Sequence, residues 1–104
     1  MTETLSDFNL GWIVGILEGE GTFDLSNKKY PRVRVEMTDK DSVYRFYAVL
    51  GISRTPRHTV RQDKKDSWVG SIHGPQAKLL MVDMFPHMSE RRQQKIQEIL
   101  LDNG

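Results

Sequence analysis

The 104-residue chain contains no cysteine, which excludes a disulfide framework and thiolate metal sites and fits a reducing intracellular compartment. It also lacks a long hydrophobic run: no apolar stretch approaches the ~18 residues needed to span a membrane. Met1-Thr2-Glu3-Thr4 has no basic region leading into an apolar segment. No signal peptide is therefore expected, and the expected setting is cytoplasmic or otherwise intracellular, whether organellar or phage-encoded. The three histidines, His58, His73 and His87, have no short metal-ligand spacing, and no His-Glu pair suggests a zinc protease. No glycine-rich phosphate loop is present either. Gly19-Glu20-Gly21 is too short and too acidic to cradle a phosphate, so no nucleotide cofactor is expected. The length fits one domain over residues 1–104, with a single core.

An excess of one charge is also missing, since the net charge is only +1. The charges are nonetheless segregated. From Lys28 to Lys65 there are eleven Lys and Arg against four acids, a balance of +7; the remainder has four against ten, a balance of −6. A basic middle between acidic ends is the asymmetry expected when one surface meets a polyanion.

What the sequence does have is an unusual first helix. Residues 11–23 read Gly-Trp-Ile-Val-Gly-Ile-Leu-Glu-Gly-Glu-Gly-Thr-Phe, an apolar helix ending in two carboxylates. A helix C-terminus carries about half a negative charge, so acids there cost roughly 0.3–1 kcal/mol each and call for a compensating cation. Gly11, Gly15 and Gly19 recur every fourth residue and share one face. Each costs about 1 kcal/mol relative to alanine. Such a stripe serves close approach of another backbone, either inside the monomer or from a second helix. In the second case two Glu20 carboxylates would come together, a way to build a divalent-metal site.

Along the chain the periodicities alternate. Ser6 or Asp7 can cap the first helix, whose apolar side includes Leu10, Ile13, Ile16 and Leu17, and Gly21 ends it. Thr22 to Ser26 alternates, Ser26 to Pro31 reads as a hairpin turn, and Arg32 to Thr38 alternates with Val33, Val35 and Met37 inward. Asp39 can cap a second helix carrying Val43, Phe46, Tyr47 and Leu50 at helical spacing. Ile52 to Val60 reads as a strand, with Pro56 arguing for an edge or a bulge. Arg61 to Asp66 is a polar turn, and Ser67 to His73 alternates around Trp68, Gly70 and Ile72. Gly74-Pro75 starts a helix with Ala77, Leu80, Met81, Met84 and Phe85 on its apolar side. After the Pro86 interruption, Ser89 caps a last helix burying Ile96, Ile99 and Leu100. The predicted order is α-β-β-α-β-β-α plus a terminal helix, an α+β fold.

Ile13-Val14-Gly15-Ile16-Leu17-Glu18-Gly19-Glu20-Gly21, followed by Thr22-Phe23, resembles the motif of the LAGLIDADG homing endonucleases. The departures are Ile13 for the first leucine, Val14 for the small second residue, and glutamate for both aspartates. The element order is the same as that family's αββαββα core, so the resemblance covers nearly the whole chain. It implies a four-stranded antiparallel saddle-shaped sheet with a C-terminal helix. A single motif implies a homodimer, and hence a palindromic or near-palindromic double-stranded DNA target. The candidate dimer face is Gly11, Trp12, Gly15 and Gly19.

In that family the sheet follows the major groove. The resemblance therefore implies DNA contacts from Thr22, Asp24, Ser26, Lys28, Lys29, Arg32, Arg34 and Glu36 of the first hairpin. The second hairpin would add Arg54, Arg57, Arg61, Lys64 and Lys65, with its facing left open by Pro56. Lysines at the two turns read as phosphate contacts, which bind without reading sequence. The implied chemistry is metal-assisted phosphodiester hydrolysis, in the manner of intron homing. Glu20 and the Gly19 carbonyl would hold Mg²⁺, or another divalent cation such as Mn²⁺, since hard oxygen donors suit it. Glu18, at the first acidic position, is expected to act structurally. Asp39 corresponds to a polar residue near the nucleophilic water, or is simply a helix cap. The family's basic partner lies early in the last helix, where Glu90 stands at the lysine position and Arg91 or Arg92 is expected to take over.

Two other classes stay open on sequence alone. One is a non-cleaving DNA- or RNA-binding protein on the same fold, such as a transcriptional regulator or an intron-splicing maturase, although a retained acid at Glu20 disfavours it. The other is an α+β interaction module with no nucleic-acid partner, in which the charges should not segregate.

Overall fold

The computed structural model describes residues 6–60, 62–63 and 65–102. Residues 1–5, on which the signal-peptide expectation rests, and the expected DNA contacts Arg61 and Lys64 lie outside the described residues. The element order is α1 (Asp7–Glu20), β1 (Gly21–Ser26), β2 (Tyr30–Met37), α2 (Lys40–Val49), β3 (Arg57–Thr59), β4 (Ser67–His73), α3 (Gly74–Met84), a 3₁₀ turn (Phe85–His87) and α4 (Glu90–Asp102). This is the α+β order expected from the periodicities.

Local chemistry explains where the elements begin. Ser6 caps α1, its hydroxyl accepting from the Asn9 N–H at 3.1 Å. Asp39 caps α2, one carboxylate oxygen accepting from the Asp41 N–H at 3.2 Å and the other from the Ser42 hydroxyl at 2.8 Å. Pro75 sits in the first turn of α3, where its missing N–H costs nothing.

The four strands form one antiparallel sheet in the order β1-β2-β4-β3. Cross-strand partners share a face, so the register assigns the two faces directly. Phe23, Val33 and Ile72 are in register on one face, together with Val35 and Gly70. They join Ile13, Leu17, Phe46, Leu80, Met81, Met84 and Ile96 from the helices in a single core. Full burial of side chains of this size stabilises by about 1.5–3 kcal/mol each. The opposite face carries Thr22, Arg34 and Ser71 in one row and Asp24, Arg32 and His73 in the next. Arg57 follows, opposite Val69, which also pairs with Glu36.

The second hairpin departs from expectation. Strand was expected from Ile52 to Val60, but β3 contains only Arg57–Thr59 and residues 52–56 are not strand. Pro56 is buried just before β3 and has no N–H for a ladder. β3 is accordingly a short edge strand. The first turn is tighter than expected, with β2 already starting at Tyr30 and the Lys29 N–H donating to the Ser26 carbonyl at 3.0 Å. Asn27 and Lys28 both have positive φ, 55° and 59°, as a turn matched to strand twist requires.

Because β3 pairs only with Ser67–Val69, β4 has an open edge at Ser71. The Tyr47 hydroxyl closes it, accepting from the Ser71 N–H at 2.8 Å and donating to the Ser71 carbonyl at 3.1 Å. Gly70 lets Tyr47 come this close: a β-carbon there would lie 3.0 Å from the ring and 3.3 Å from Val43. Since Tyr47 is pinned by its hydrogen bonds, it cannot yield. Gly70→Ala is expected to destabilise the protein by about 1–3 kcal/mol, measured as a lower midpoint in urea without a change in slope.

Candidate acidic site and nucleic-acid interface

The C-terminal end of α1 meets the N-terminal end of α4, and charged side chains cross between them. Glu18 reaches α4, accepting from the Ser89 N–H at 2.7 Å and the Ser89 hydroxyl at 2.9 Å. The Ser89 carbonyl accepts the first helical bond from Gln93, so Ser89 is the cap position, with its hydroxyl spent on Glu18. The Ser89 N–H is the main cause of a Glu18 carboxyl held below the usual carboxylate range, and the hydroxyl and Arg92 add to it. In the other direction Arg92 reaches α1. Its guanidinium donates to the Glu18 carbonyl at 3.0 Å and the Gly21 carbonyl at 2.6 Å, and lies 3.3 Å from the Glu18 carboxylate.

Arg92 is therefore the compensating cation that two acids at a helix end call for. Its side chain is only 13 % exposed, and its guanidinium lies over the Phe23 ring, 5.8 Å from the centroid. Arg92 was one of two candidates for the basic catalytic role. Its donors are engaged with two backbone carbonyls and an ion pair, while Arg91 on the same turn is exposed. Glu18, for which the resemblance implied a structural role, is bonded to Ser89 at the start of α4 through both carboxylate oxygens.

Glu20 differs from Glu18 in that it is exposed and has no hydrogen-bond or ion-pair partner among the described residues. Gly21 then turns the chain from α1 directly into β1, its N–H donating to the Leu17 carbonyl. A β-carbon at Gly21 would stand 2.6 Å from that carbonyl oxygen, so only glycine fits. Gly19 is exposed beside Glu20. Asp39 follows the end of β2 that pairs with Gly21 and is exposed, with both oxygens engaged in capping α2.

Next to this corner an open cleft of about 470 Å³ is lined by Thr22, Arg91, Arg92, Gln94, Lys95 and Glu98, among others. Sequence reasoning missed Lys95, which acts electrostatically on Asp24 of β1. Its signal was available only as an i+4 neighbour of Arg91 on a helix whose packing against β1 no local pattern announced.

The outer face of the sheet gathers arginines from both hairpins. Arg32, Arg34, Arg54 and Arg57, with Tyr47, Ser71 and His73, line one groove of about 220 Å³. This settles the facing of the second hairpin: Arg57 lies on the same face as Arg34. The Arg54 guanidinium stacks over Tyr47 and donates to the Ser71 carbonyl. Two expected DNA contacts pair with each other, because Arg32 grips Asp24 through two bonds of 2.7 Å. That grip is the main cause of an Asp24 carboxyl held below the usual range. Glu36 accepts from the Ser67 hydroxyl at 2.7 Å. Thr22, Lys28, Lys29 and Lys65 are exposed, and Ser26 is half-buried.

The glycine stripe is open. At Gly11, Gly15 and Gly19 nothing among the described residues lies within 4 Å of where a β-carbon would stand, so packing among those residues does not account for it. Trp12 packs at the edge of the core and is covered by the Arg45 guanidinium, 4.3 Å from the ring centroid. Arg45 also contacts the ring of Phe8, which is 73 % exposed.

Among the described residues no group of three or more His, Cys, Asp or Glu side chains is placed to hold a metal. Among the described residues Glu20 is the carboxylate at this corner that has no hydrogen-bond or ion-pair partner. No helix among the described residues is long and apolar enough to cross a membrane. No protein-family model matches the chain, and no curated protein or solved structure matches it either.

Removing the Glu18 contact tests this junction. Glu18→Ala is expected to cost about 1 kcal/mol at neutral pH, as loss of a helix cap does. Because the folded carboxyl is held below the usual carboxylate range, this stability is present at neutral pH and is lost as pH falls through the lowered value. Urea titrations of both proteins should therefore converge under acid conditions. A pH-independent difference would assign the effect to packing instead.

Proposed function

We propose that the protein is a site-specific DNA endonuclease of the LAGLIDADG type, acting as a homodimer on double-stranded DNA. The observation that carries this reading is the contrast between the two acids of the motif. Glu18 is consumed by α4, whereas Glu20 stands exposed and unpartnered at the end of an open glycine stripe. Glycines along an exposed helix face cost stability that nothing among the described residues returns. Helix pairing with a second copy through Gly11, Gly15 and Gly19, flanked by Trp12, would return it and bring two Glu20 side chains together.

The arginine groove supports the DNA partner. Its guanidiniums lie on a sheet face continuous with β1, which begins at the residue after Glu20. Phosphate contacts from Lys28, Lys29 and Lys65 would fix the register of the duplex, while groove arginines read base edges. Glu20 of each copy, with the Gly19 carbonyl, would hold Mg²⁺ or Mn²⁺ beside the scissile phosphates. A bound divalent ion of this kind supplies a more acidic water and stabilises charge on phosphate oxygens. The chain itself contributes the free carboxylate, a helix end already neutralised by Arg92, and the exposed cations Arg91 and Lys95 in the adjoining cleft. Asp39 lies at the same end of the sheet and can hold a water through a carboxylate oxygen that also caps α2.

The test is incubation with a randomised duplex library, with and without Mg²⁺, sequencing both bound and cut molecules. Metal-dependent cutting at a two-fold-related site is expected. Glu20→Gln should cut at least ~100-fold more slowly while binding the same sites with the same steep salt dependence. Specific binding with no cutting under any divalent metal would instead identify a non-cleaving regulator or splicing helper. Salt-insensitive or absent binding would point to an interaction module without a nucleic-acid partner.

A further inference from the structure

Four arginines line the outer groove, but they are not equivalent. Arg54 is committed to the Ser71 carbonyl and the Tyr47 ring. Arg34 and Arg57 have no hydrogen-bond or ion-pair partner among the described residues, so each must lose side-chain freedom before it can read a base. Arg32 alone is held in a fixed geometry on this face by a carboxylate. Its Nε donates to Asp24 Oδ1 and its Nη2 to Asp24 Oδ2, both at 2.7 Å.

We infer that Asp24 is a positioning residue that sets Arg32 as a pre-formed guanine reader. A guanidinium has five N–H donors in a rigid plane. Asp24 takes two of them along one edge, which leaves three on the terminal nitrogens. Those three have no other partner among the described residues, and together they keep an end-on fork. That fork matches the O6 and N7 acceptors of guanine in the major groove. The pair is part-buried, with 28 % and 30 % of the two side chains exposed, so the carboxylate is shielded enough to hold its grip while the fork stays accessible. Asp24 sits on β1, on the far side of Arg32 from β4, and so does not itself occupy the groove. Sequestration of Arg32 by Asp24 is the opposite expectation, because it would make the acid a suppressor of DNA reading.

This inference rests on the DNA-binding reading above and adds the base class that one side chain selects. Its test uses the full chain in a metal-free randomised-duplex selection, so that binding is read without cleavage. Wild type, Asp24→Asn and Arg32→Lys are compared, with circular-dichroism melts confirming that each folds. Wild type should enrich guanine at one position of each half-site. Arg32→Lys keeps the charge but loses the fork, so it should lose that preference by roughly fivefold or more while the steep salt dependence of binding is retained. Asp24→Asn should weaken the same preference while overall affinity holds or rises, since a carboxylate near phosphates has been removed. Should Asp24→Asn not fold, Arg32→Lys still decides whether the fork reads guanine. An unchanged or sharper preference in Asp24→Asn would overturn the positioning role, and a retained preference in Arg32→Lys would overturn the reader. Failure of wild type to enrich any duplex would instead bring down the DNA-binding reading, and this inference with it.

Discussion

The exchange of charges between α1 and α4 is the contact on which the rest of the structure hangs. Glu18 is unfavourable at the end of its own helix and favourable at the start of α4, where N–H groups are unpaired. Arg92 is the reverse: a cation in the first turn of α4 is misplaced, but on the carbonyls ending α1 it offsets their partial negative charge. Each helix thus carries a locally wrong charge that is right for its neighbour. The exchange joins residues 71 to 74 positions apart, so it fixes α4 against the start of β1. Replacing Arg92 would strand two carbonyls at a largely buried position, and hydrogen bonds from charged groups contribute about 1.5–3 kcal/mol.

The same economy runs across the sheet. β3 is too short to cover β4, and Tyr47 closes the open edge instead, with Gly70 admitting its ring. Arg54 stacks on that ring and completes the Ser71 carbonyl. The bonds that finish the sheet therefore also place the first cation of the groove. Asp24 and Arg32 do likewise from the other side, tying β1 to β2 and presenting a fork. The outer face is built from side chains whose structural bonds leave part of their polar surface unspent.

Much of this was legible in the sequence. Alternation in 22–26, 32–38 and 67–73, and helical spacing in 43–50 and 77–84, gave the element order, because each segment buries one face and exposes the other. Pro56 announced an edge strand but hid its length, since a proline says where a ladder cannot run and not where it resumes. The need for a cation at the end of α1 was readable from two carboxylates there. Which cation was not, because Arg91 and Arg92 differ only in the rotation of α4 about its axis, and that is set by Ile96 and Ile99 in the core. Lys95 was missed for a related reason: it belongs to the stretch that counts as acidic by charge, and only packing brings it beside Asp24. The Asp24–Arg32 pair required the register of the hairpin, which its turn fixes in three dimensions.

Arg92 also explains how Glu20 can remain free. A cation is needed where α1 ends, and the simplest place for it would be against the last, exposed carboxylate. Held instead between the Glu18 and Gly21 carbonyls and paired with the Glu18 carboxylate, Arg92 neutralises the helix end from inside. The stabilising charge and the outward carboxylate are therefore separated, one beneath the α1–β1 turn and the other outside it. For a structural acid that separation would be wasteful, since an ion pair to Glu20 would stabilise the same turn. It is the arrangement expected if the Glu20 oxygens are reserved for a ligand that the monomer does not contain. The open glycine stripe ending at Gly19 gives a second copy a route to the same point. On the proposed reading one chain would supply half of a site there, and pairing would offset the cost of three exposed glycines.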